Sequence, residues 1–239
     1  MEAAAGEHLN SQHWRIQRGL FWLAVALGLL HIAALYATNQ LLVYFTKPGT
    51  MLVILSVAAL RSSRAQSRYS VPIVAGLVCS LVGDVFLMLP SDRFVPGLES
   101  FFIAHLVYIA AFRSGVAGLG PAWLPLPFLA YGLTAFWILL PGLGEMKLPV
   151  IAYLLVILTM AWQAAVRWNA KRDRNCLFAL SGALLFVVSD SVLAFDRFHT
   201  RFYLAGGLIM STYFAAQLLI ALSVSGQDRS TQAELSTSK

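Results

Sequence analysis

Charged residues are scarce in this chain of 239 residues, since Asp, Glu, Lys and Arg together make up only 12% of it. An ordinary soluble domain carries about 25% of such residues. Hydrophobic residues make up 59% of the chain. A soluble core of this length cannot bury so much apolar surface, so lipid must serve as the solvent. We therefore expect an all-α integral membrane protein.

Cysteines and the common enzyme motifs are also rare or absent. Cys79 lies in a hydrophobic run and Cys176 beside a basic loop, which argues against a disulfide framework and matches no metal motif. The chain has no GxSxG, no HExxH, no P-loop and no phosphate-cradling glycine loop. The net charge of +6 is concentrated in short loops, so no nucleic-acid partner is predicted. No cofactor and no metal are predicted either.

Eight hydrophobic runs approach the roughly 20 residues that a spanning helix needs. They cover residues 18–38, 49–60, 71–90, 98–113, 119–140, 148–167, 177–195 and 203–224. The second run can extend back through Leu41–Phe45, with a predicted break at Lys47–Gly49. The predicted organisation is a polar N-terminus (1–17), an eight-helix transmembrane domain (18–224) and a polar, disordered tail (225–239).

The loops predict an orientation for these eight helices. An even number of spans puts both termini on one side, and an inner N-terminus leaves twelve of the 17 Lys and Arg residues inside. This distribution favours an N-in, C-in topology. The third run contains GDVFLMLPSDRF and the seventh contains SDSVLAFDRF, an echo that favours a parallel duplication of four plus four helices.

Two aspartates, Asp84 and Asp190, lie inside these two similar runs. A carboxylate in the middle of a membrane helix costs about 2.5–3.5 kcal/mol on insertion scales, so it is rare without a task. At 1.5 Å per residue, both would lie about 9 Å below the outer helix ends. A single such residue can serve helix packing alone. Two at matched depth favour an enzyme or a transporter.

Other polar residues fall near the same layer, and polar groups in lipid must find one another. These are His105, Tyr153 and Tyr213. Tyr108 follows His105 by three residues, and Gln217 follows Tyr213 by four, a pair that more often joins helices than takes part in catalysis. A basic outer rim of Lys47, Arg93, Arg197 and Arg201 could hold an anionic headgroup, although snorkelling is the more common role of such residues. Asp92 and Asp196 lie at helix ends, where we expect each to pair with the adjacent arginine.

Two neighbouring buried carboxylates can divide acid and base work, because one can stay protonated while the other is ionised. Glycosidases use this division, in which an acid protonates the substrate and a carboxylate stabilises an oxocarbenium ion or activates water.

Six sequence blocks resemble the YhhN-like lysoplasmalogenase family of polytopic membrane proteins. In chain order they are Gly83-Asp84, Phe94–Gly97, the A-H-x-x-Y run Ala104–Tyr108, the L-P-V-x-A-Y run Leu148–Tyr153, the block Gly182–Asp196 and the block Thr212–Ile220. The resemblance covers roughly residues 45–224. It implies a membrane enzyme that hydrolyses the vinyl ether bond of lysoplasmalogens to a fatty aldehyde and glycerophosphocholine or glycerophosphoethanolamine.

The resemblance fits the chemistry of the residues, because protonation of a vinyl ether gives an oxocarbenium ion. Asp84 and Asp190 are the predicted acid/base pair, and either could be the acid. His105, Tyr108, Tyr153, Tyr213 and Gln217 would hydrogen-bond or position water. Asp196 would order the loop, and Lys47 would lie near the headgroup. The bacterial inner membrane and the endoplasmic reticulum both suit such a protein.

Three other hypotheses remain open at the level of sequence. Two Asp and one His could hold Zn²⁺ in a metal-dependent lipid amidase or esterase. Buried carboxylates in a four-plus-four repeat also suit a lipid or proton-coupled transporter. A purely structural protein would leave the matched acids unused. Headgroup preference and oligomeric state stay undetermined.

Overall fold

The computed structural model describes residues 2–62 and 67–224. Within these ranges the chain is helical and has no β-strand. The α-helices of this part of the chain are α1 (Glu2–Tyr36), α2 (Gln40–Ser62), α3 (Ser67–Met88), α4 (Phe94–Arg113), α5 (Leu126–Leu139), α6 (Lys147–Lys171), α7 (Arg174–Phe198) and α8 (Ala205–Leu222). The polar tail predicted at 225–239 lies outside the described residues.

Seven helices in the described ranges are long and apolar enough to cross a bilayer. The chain is therefore a multi-pass integral membrane protein. Helix α5 is shorter: together with the 3₁₀ turn that follows it, it covers Leu126–Gly142. Helix α1 starts at Glu2, within the polar segment 1–17, and its apolar span starts at Trp14.

The predicted break at Lys47–Gly49 is wrong. Helix α2 runs without interruption from Gln40 to Ser62 with Pro48 inside it. The hydroxyls of Thr46 and Thr50 donate to the carbonyls of Leu42 and Thr46, at 2.6 and 2.7 Å, one on each side of the proline. In lipid an unwound segment would leave several backbone groups unpaired, so a helix that tolerates one proline is the better solution.

The predicted start of the fifth helix at residue 119 is also wrong, since α5 begins at Leu126. Gly118 and Gly120 both have φ of +74°, in the left-handed region. That conformation is available to glycine at little cost but ends an α-helix. The residues from 119 to 125 therefore form a loop, and α5 is left as the shortest helix of the bundle.

Small residues set the closest approaches between helices. A Cβ added to Gly83 of α3 would lie 2.7 Å from the Phe101 ring of α4, and one added to Gly97 of α4 would lie 2.7 Å from Leu87 of α3. A Cβ on Gly182 of α7 would lie 2.8 Å from the backbone oxygen of Ala216 in α8. Such contacts let the backbones pack tightly, as is usual where helices associate in membranes.

Gly182 offers a test of this packing. We expect Gly182→Ala to lower the unfolding free energy in detergent by about 1–3 kcal/mol, because a methyl group meets a backbone oxygen that cannot rotate away. Gly49→Ala in α2 is the control, since a Cβ there has nothing within 4 Å. Equal thermal stabilities of the two variants would contradict the close approach of α7 and α8.

All eight helices meet around one cavity. Helices α1, α3, α5 and α7 line the cavity with their last turns. Helices α2, α4 and α8 line it with their first turns or with the residues just after them. The longer α6 lines it from its first turn onward. Successive helices thus alternate in direction through the bundle. We call the end of the bundle where they meet the cavity end.

Candidate active site

The cavity has a volume of about 900 Å³. Ligand pockets in proteins usually measure about 300–1,000 Å³, so this cavity can hold a lipid-sized molecule. Asp84 of α3 and Asp190 of α7 both line it. The structure therefore brings together the two intramembrane carboxylates that the sequence singles out.

Asp84 is held at both of its carboxylate oxygens. Lys47 Nζ lies 3.0 Å from Oδ1, and the Tyr213 hydroxyl donates to Oδ2 at 2.5 Å. Asp84 is 1% exposed and Lys47 is 6% exposed. Lys47 is therefore not part of the outer rim, as the sequence suggested, but is the buried counter-ion of Asp84. The unbroken course of α2 through Pro48 puts it there.

His31 is a site residue that sequence reasoning missed. It is 1% exposed, lines the cavity, and its Nδ1 lies 2.9 Å from the hydroxyl of Thr46, the neighbour of Lys47. A signal was available, because His31 is the one polar side chain in the run LGLLHIAAL of the first span. A polar residue inside a membrane span usually marks a functional site, so the same argument that singles out the aspartates applies to His31.

Asp190 has a different set of partners. The Tyr153 hydroxyl donates to Asp190 Oδ2, and His105 Nε2 lies 3.0 Å from the same hydroxyl and 3.7 Å from Oδ2. Because the phenol gives its proton to Asp190, it accepts from His105, which assigns the imidazole proton to Nε2. No hydrogen bond reaches Asp190 Oδ1 from the described residues. Asp190 itself lines the cavity.

The buried Nδ1 of His105 has no hydrogen-bond partner within the described part of the chain. His105 itself is 0% exposed and packs edge-on against the Phe186 ring, with 4.7 Å between ring centroids. It lies behind Tyr153 rather than on the cavity wall. Its contact with the cavity therefore runs through the Tyr153 hydroxyl.

Tyr108 and Gln217 are farther from the cavity. The Tyr108 hydroxyl donates to Gln217 Oε1 at 2.9 Å, and both side chains are fully buried. Gly76 makes room for the tyrosine, since a Cβ there would lie 2.3 Å from the Tyr108 ring. These two residues join α4 to α8 beneath the site. Neither residue lines the cavity.

The cavity mouth carries charges from two loops. The expectation that Asp92 and Asp196 pair with the adjacent arginine is wrong: Arg197 donates to Asp92 Oδ2 at 2.6 Å, and Asp196 Oδ1 accepts the Phe202 N–H at 3.1 Å. Side chains adjacent in sequence diverge, whereas the loops after α3 and α7 meet at the cavity end. The hydrogen bond from Arg197, supported by the Phe94 N–H, lowers the pKa of Asp92. Its carboxylate is thus ionised at neutral pH.

The two carboxylates are held in a crosswise pattern. Lys47 on α2 precedes Asp84 on α3 by 37 residues, and Tyr153 on α6 precedes Asp190 on α7 by the same number. The other partner of each acid comes from the opposite half of the chain, since α8 brings Tyr213 to Asp84 and α4 brings His105 towards Asp190.

Potential metal ligands are dispersed. Among the side chains that the structure describes, in residues 14–62 and 68–224, no three of His, Cys, Asp or Glu cluster so that they could hold a metal ion. The two cysteines, Cys79 and Cys176, are free thiols.

The fold and the cavity together define a multi-pass membrane protein with a buried, two-carboxylate site. The chain belongs to the YhhN family, whose family model matches residues 42–224. The resemblance read from the six sequence blocks is thereby confirmed.

The chain is similar to several named proteins. The human protein "Lysoplasmalogenase TMEM86B" is 42% identical over 155 residues, covering 65% of this chain and 64% of the human protein. Its pig counterpart of the same name is 38% identical over 173 residues, covering 71% and 70%. The "Uncharacterized membrane protein YhhN" of Escherichia coli O157:H7 is 31% identical over 179 residues, covering 74% and 85%. No solved structure matches this chain.

Proposed function

We propose that this protein is a lysoplasmalogenase. It would hydrolyse the vinyl ether bond of 1-alkenyl-glycerophosphocholine or 1-alkenyl-glycerophosphoethanolamine to a fatty aldehyde and the glycerophospho-alcohol. One observation carries the proposal: two carboxylates line one cavity with unlike partners, Asp84 at both oxygens and Asp190 at only one among the described residues. The names of the mammalian relatives supply the substrate class.

Asp84 is proposed as the ionised carboxylate. A buried lysine ammonium at 3.0 Å requires an anionic partner, since an isolated charge would be expensive at this depth. The Tyr213 hydroxyl, at 2.5 Å, donates a second hydrogen bond to the anion. A carboxylate fixed in this way can stabilise an adjacent oxocarbenium ion without moving, which is electrostatic preorganisation.

Asp190 is proposed as the general acid. Its Oδ2 is fixed by Tyr153, while Oδ1 is available to hold the proton that is transferred. His105 Nε2, 3.0 Å from the Tyr153 hydroxyl, donates to the phenol oxygen and so holds Tyr153 in place to donate to Asp190 Oδ2. The different partners support distinct roles for the two aspartates, which the sequence left open.

The steps balance in protons. Asp190 protonates the alkenyl carbon β to the ether oxygen, and the resulting oxocarbenium ion lies against the Asp84 carboxylate. Water adds to the carbon that bears the oxygen and gives its proton to Asp84, which forms a hemiacetal. On collapse, Asp84 returns this proton to the leaving glycerol oxygen and Asp190 takes the hemiacetal hydroxyl proton. Both acids regain their starting states.

The proposal includes the topology. We place eight crossings in the membrane, N-in and C-in, with the short α5 as the fifth and with the two halves related by a parallel repeat. The alternation of helix directions around the cavity supports the count of eight. The equal 37-residue spacings and the crosswise partners support the repeat. The cavity end then faces outward, away from most basic residues.

The membrane itself is either the bacterial inner membrane or the endoplasmic reticulum. The higher identity to the mammalian relatives than to the Escherichia coli relative favours the endoplasmic reticulum.

The test is aldehyde release by the purified full chain in detergent, from both alkenyl lipids, with and without EDTA. We expect fatty aldehyde at equal rates with and without the chelator. Loss of activity in EDTA, with zinc found in the purified protein, would replace the aspartate mechanism by a metal-dependent hydrolase. No aldehyde from a folded sample would overturn the proposal and favour transport, which detergent cannot support.

A further inference from the structure

A shallow groove of about 410 Å³ lies on α7 and the loop that follows it. Its lining residues are Ser191, Val192, Phe195 and Phe202. Two of these, Ser191 and Phe195, also line the large cavity. These two side chains thus border both the groove and the cavity, and we call them the wall. The wall stands directly beside Asp190, the neighbour of Ser191 in sequence.

The surface around the groove is apolar and turned outward. Phe195 is 37% exposed, Phe202 is 38% exposed, and Val188, one turn before Val192, is 46% exposed. The lining contains no ionisable side chain. In a membrane protein such a surface faces hydrocarbon, not water.

The wall is held by hydrogen bonds that can exchange. The Tyr131 hydroxyl of α5 donates to Ser191 Oγ at 2.5 Å, and Ser191 in turn donates to the Val187 carbonyl at 2.5 Å. If Tyr131 turns away, Ser191 keeps its bond within α7, so opening leaves no buried polar group of α7 unpaired. Helix α5 turns an apolar side outward, with Leu133 73% and Trp137 75% exposed, and Tyr131 itself is 41% exposed. Movement of Tyr131 therefore disturbs little of the core.

We propose that this groove is the binding site for the aliphatic chain of a single-chain ether phospholipid. The chain would enter from the bilayer between Ser191 and Phe195, with its vinyl ether beside Asp190 and its headgroup at the charged mouth. The occupant follows from the continuity of the groove with the cavity and from its apolar lining. The inference rests on the proposed function for the identity of the substrate.

The experiment uses a non-cleavable 1-alkyl-glycerophosphoethanolamine with a diazirine at the end of its chain. It is bound to the purified full chain, photolysed, and the labelled residues are found by mass spectrometry. We expect labels concentrated at Val192 and Phe202. Label confined to residues of α5 and α6 inside the cavity, label spread evenly over the outer surface, or no label would overturn the groove as the chain site.

Val192→Trp fills the groove, and Val188→Trp is the matched control on the same face of α7. We expect Val192→Trp to raise KM for a long-chain alkenyl substrate about tenfold, as if roughly two methylenes were displaced, with kcat unchanged. KM for a short-chain analogue should stay constant. Equal effects of the two variants would contradict the inference.

The probe separates this inference from the proposed function. The probe needs no reaction. Labelling in the groove without aldehyde release would therefore uphold the groove as the chain-binding site and overturn only the proposed hydrolase activity.

Discussion

Replacing Asp190 with Asn is expected to lower kcat for aldehyde release about 10³-fold, within the range of about 10²–10⁴-fold that a positioned general acid contributes. The amide has the shape of the acid and can still accept from the Tyr153 hydroxyl, so the fold should be retained. It cannot deliver a proton to the alkenyl carbon. The measurement is kcat in detergent, with monodispersity and thermal unfolding as checks on folding.

Asp196→Asn is the matched control for this prediction. Asp196 also lines the cavity, but its carboxylate accepts the backbone N–H of Phe202 and orders the loop before α8. We expect its kcat to stay close to that of the parent protein. If Asp190→Asn were as active as Asp196→Asn, the assignment of Asp190 as the acid would be wrong.

Replacing Lys47 with Met is expected to cost about 3–5 kcal/mol of unfolding free energy, because it leaves the Asp84 carboxylate buried without its counter-ion. The two side chains are 8% and 1% exposed, so water cannot replace the lost partner. The double variant Lys47→Met with Asp84→Asn should recover most of this loss, since it removes both charges. It should remain inactive, because the anion is missing. Denaturant unfolding in detergent and aldehyde release measure the two effects.

Lys147→Met provides the control for charge removal. Lys147 stands exposed at the first position of α6, so its loss should change stability by no more than about 0.5 kcal/mol. If the double variant were no more stable than Lys47→Met alone, the two residues would not be coupled. The ion pair would then not determine the state of Asp84.

The runs of hydrophobic residues were sufficient to predict an all-helical membrane protein and the approximate position of most spans. They were also sufficient to single out Asp84 and Asp190, because a carboxylate in such a run is conspicuous by its cost. The partners of these acids were harder to predict. Lys47 is followed by Pro48 and Gly49. These two residues predict a helix break in water but not in lipid, where the helix persists.

Contacts between loops and between distant helices could not be read from the sequence. Asp92 bonds to Arg197 and not to Arg93, because the direction of a side chain at a helix end depends on how the helices pack. The wall formed by Ser191 and Phe195 is likewise a product of packing, since neither residue type marks a membrane site. His31 is the exception, because a single polar side chain within an apolar run can be seen in the sequence.

The crosswise support of the two acids has a consequence for the ancestry and divisibility of the chain. Asp84 needs Tyr213, and Asp190 approaches His105, so neither four-helix half contains a complete site. A chain severed in the loop between Arg113 and Leu126 should be inactive as separate fragments and regain activity when they are co-expressed. A symmetric homodimer built from one four-helix half would hold its two acids in identical surroundings. In the proposed repeat, position 47 corresponds to position 153. Lysine at the first position and tyrosine at the second would let one acid donate protons while the other stays charged.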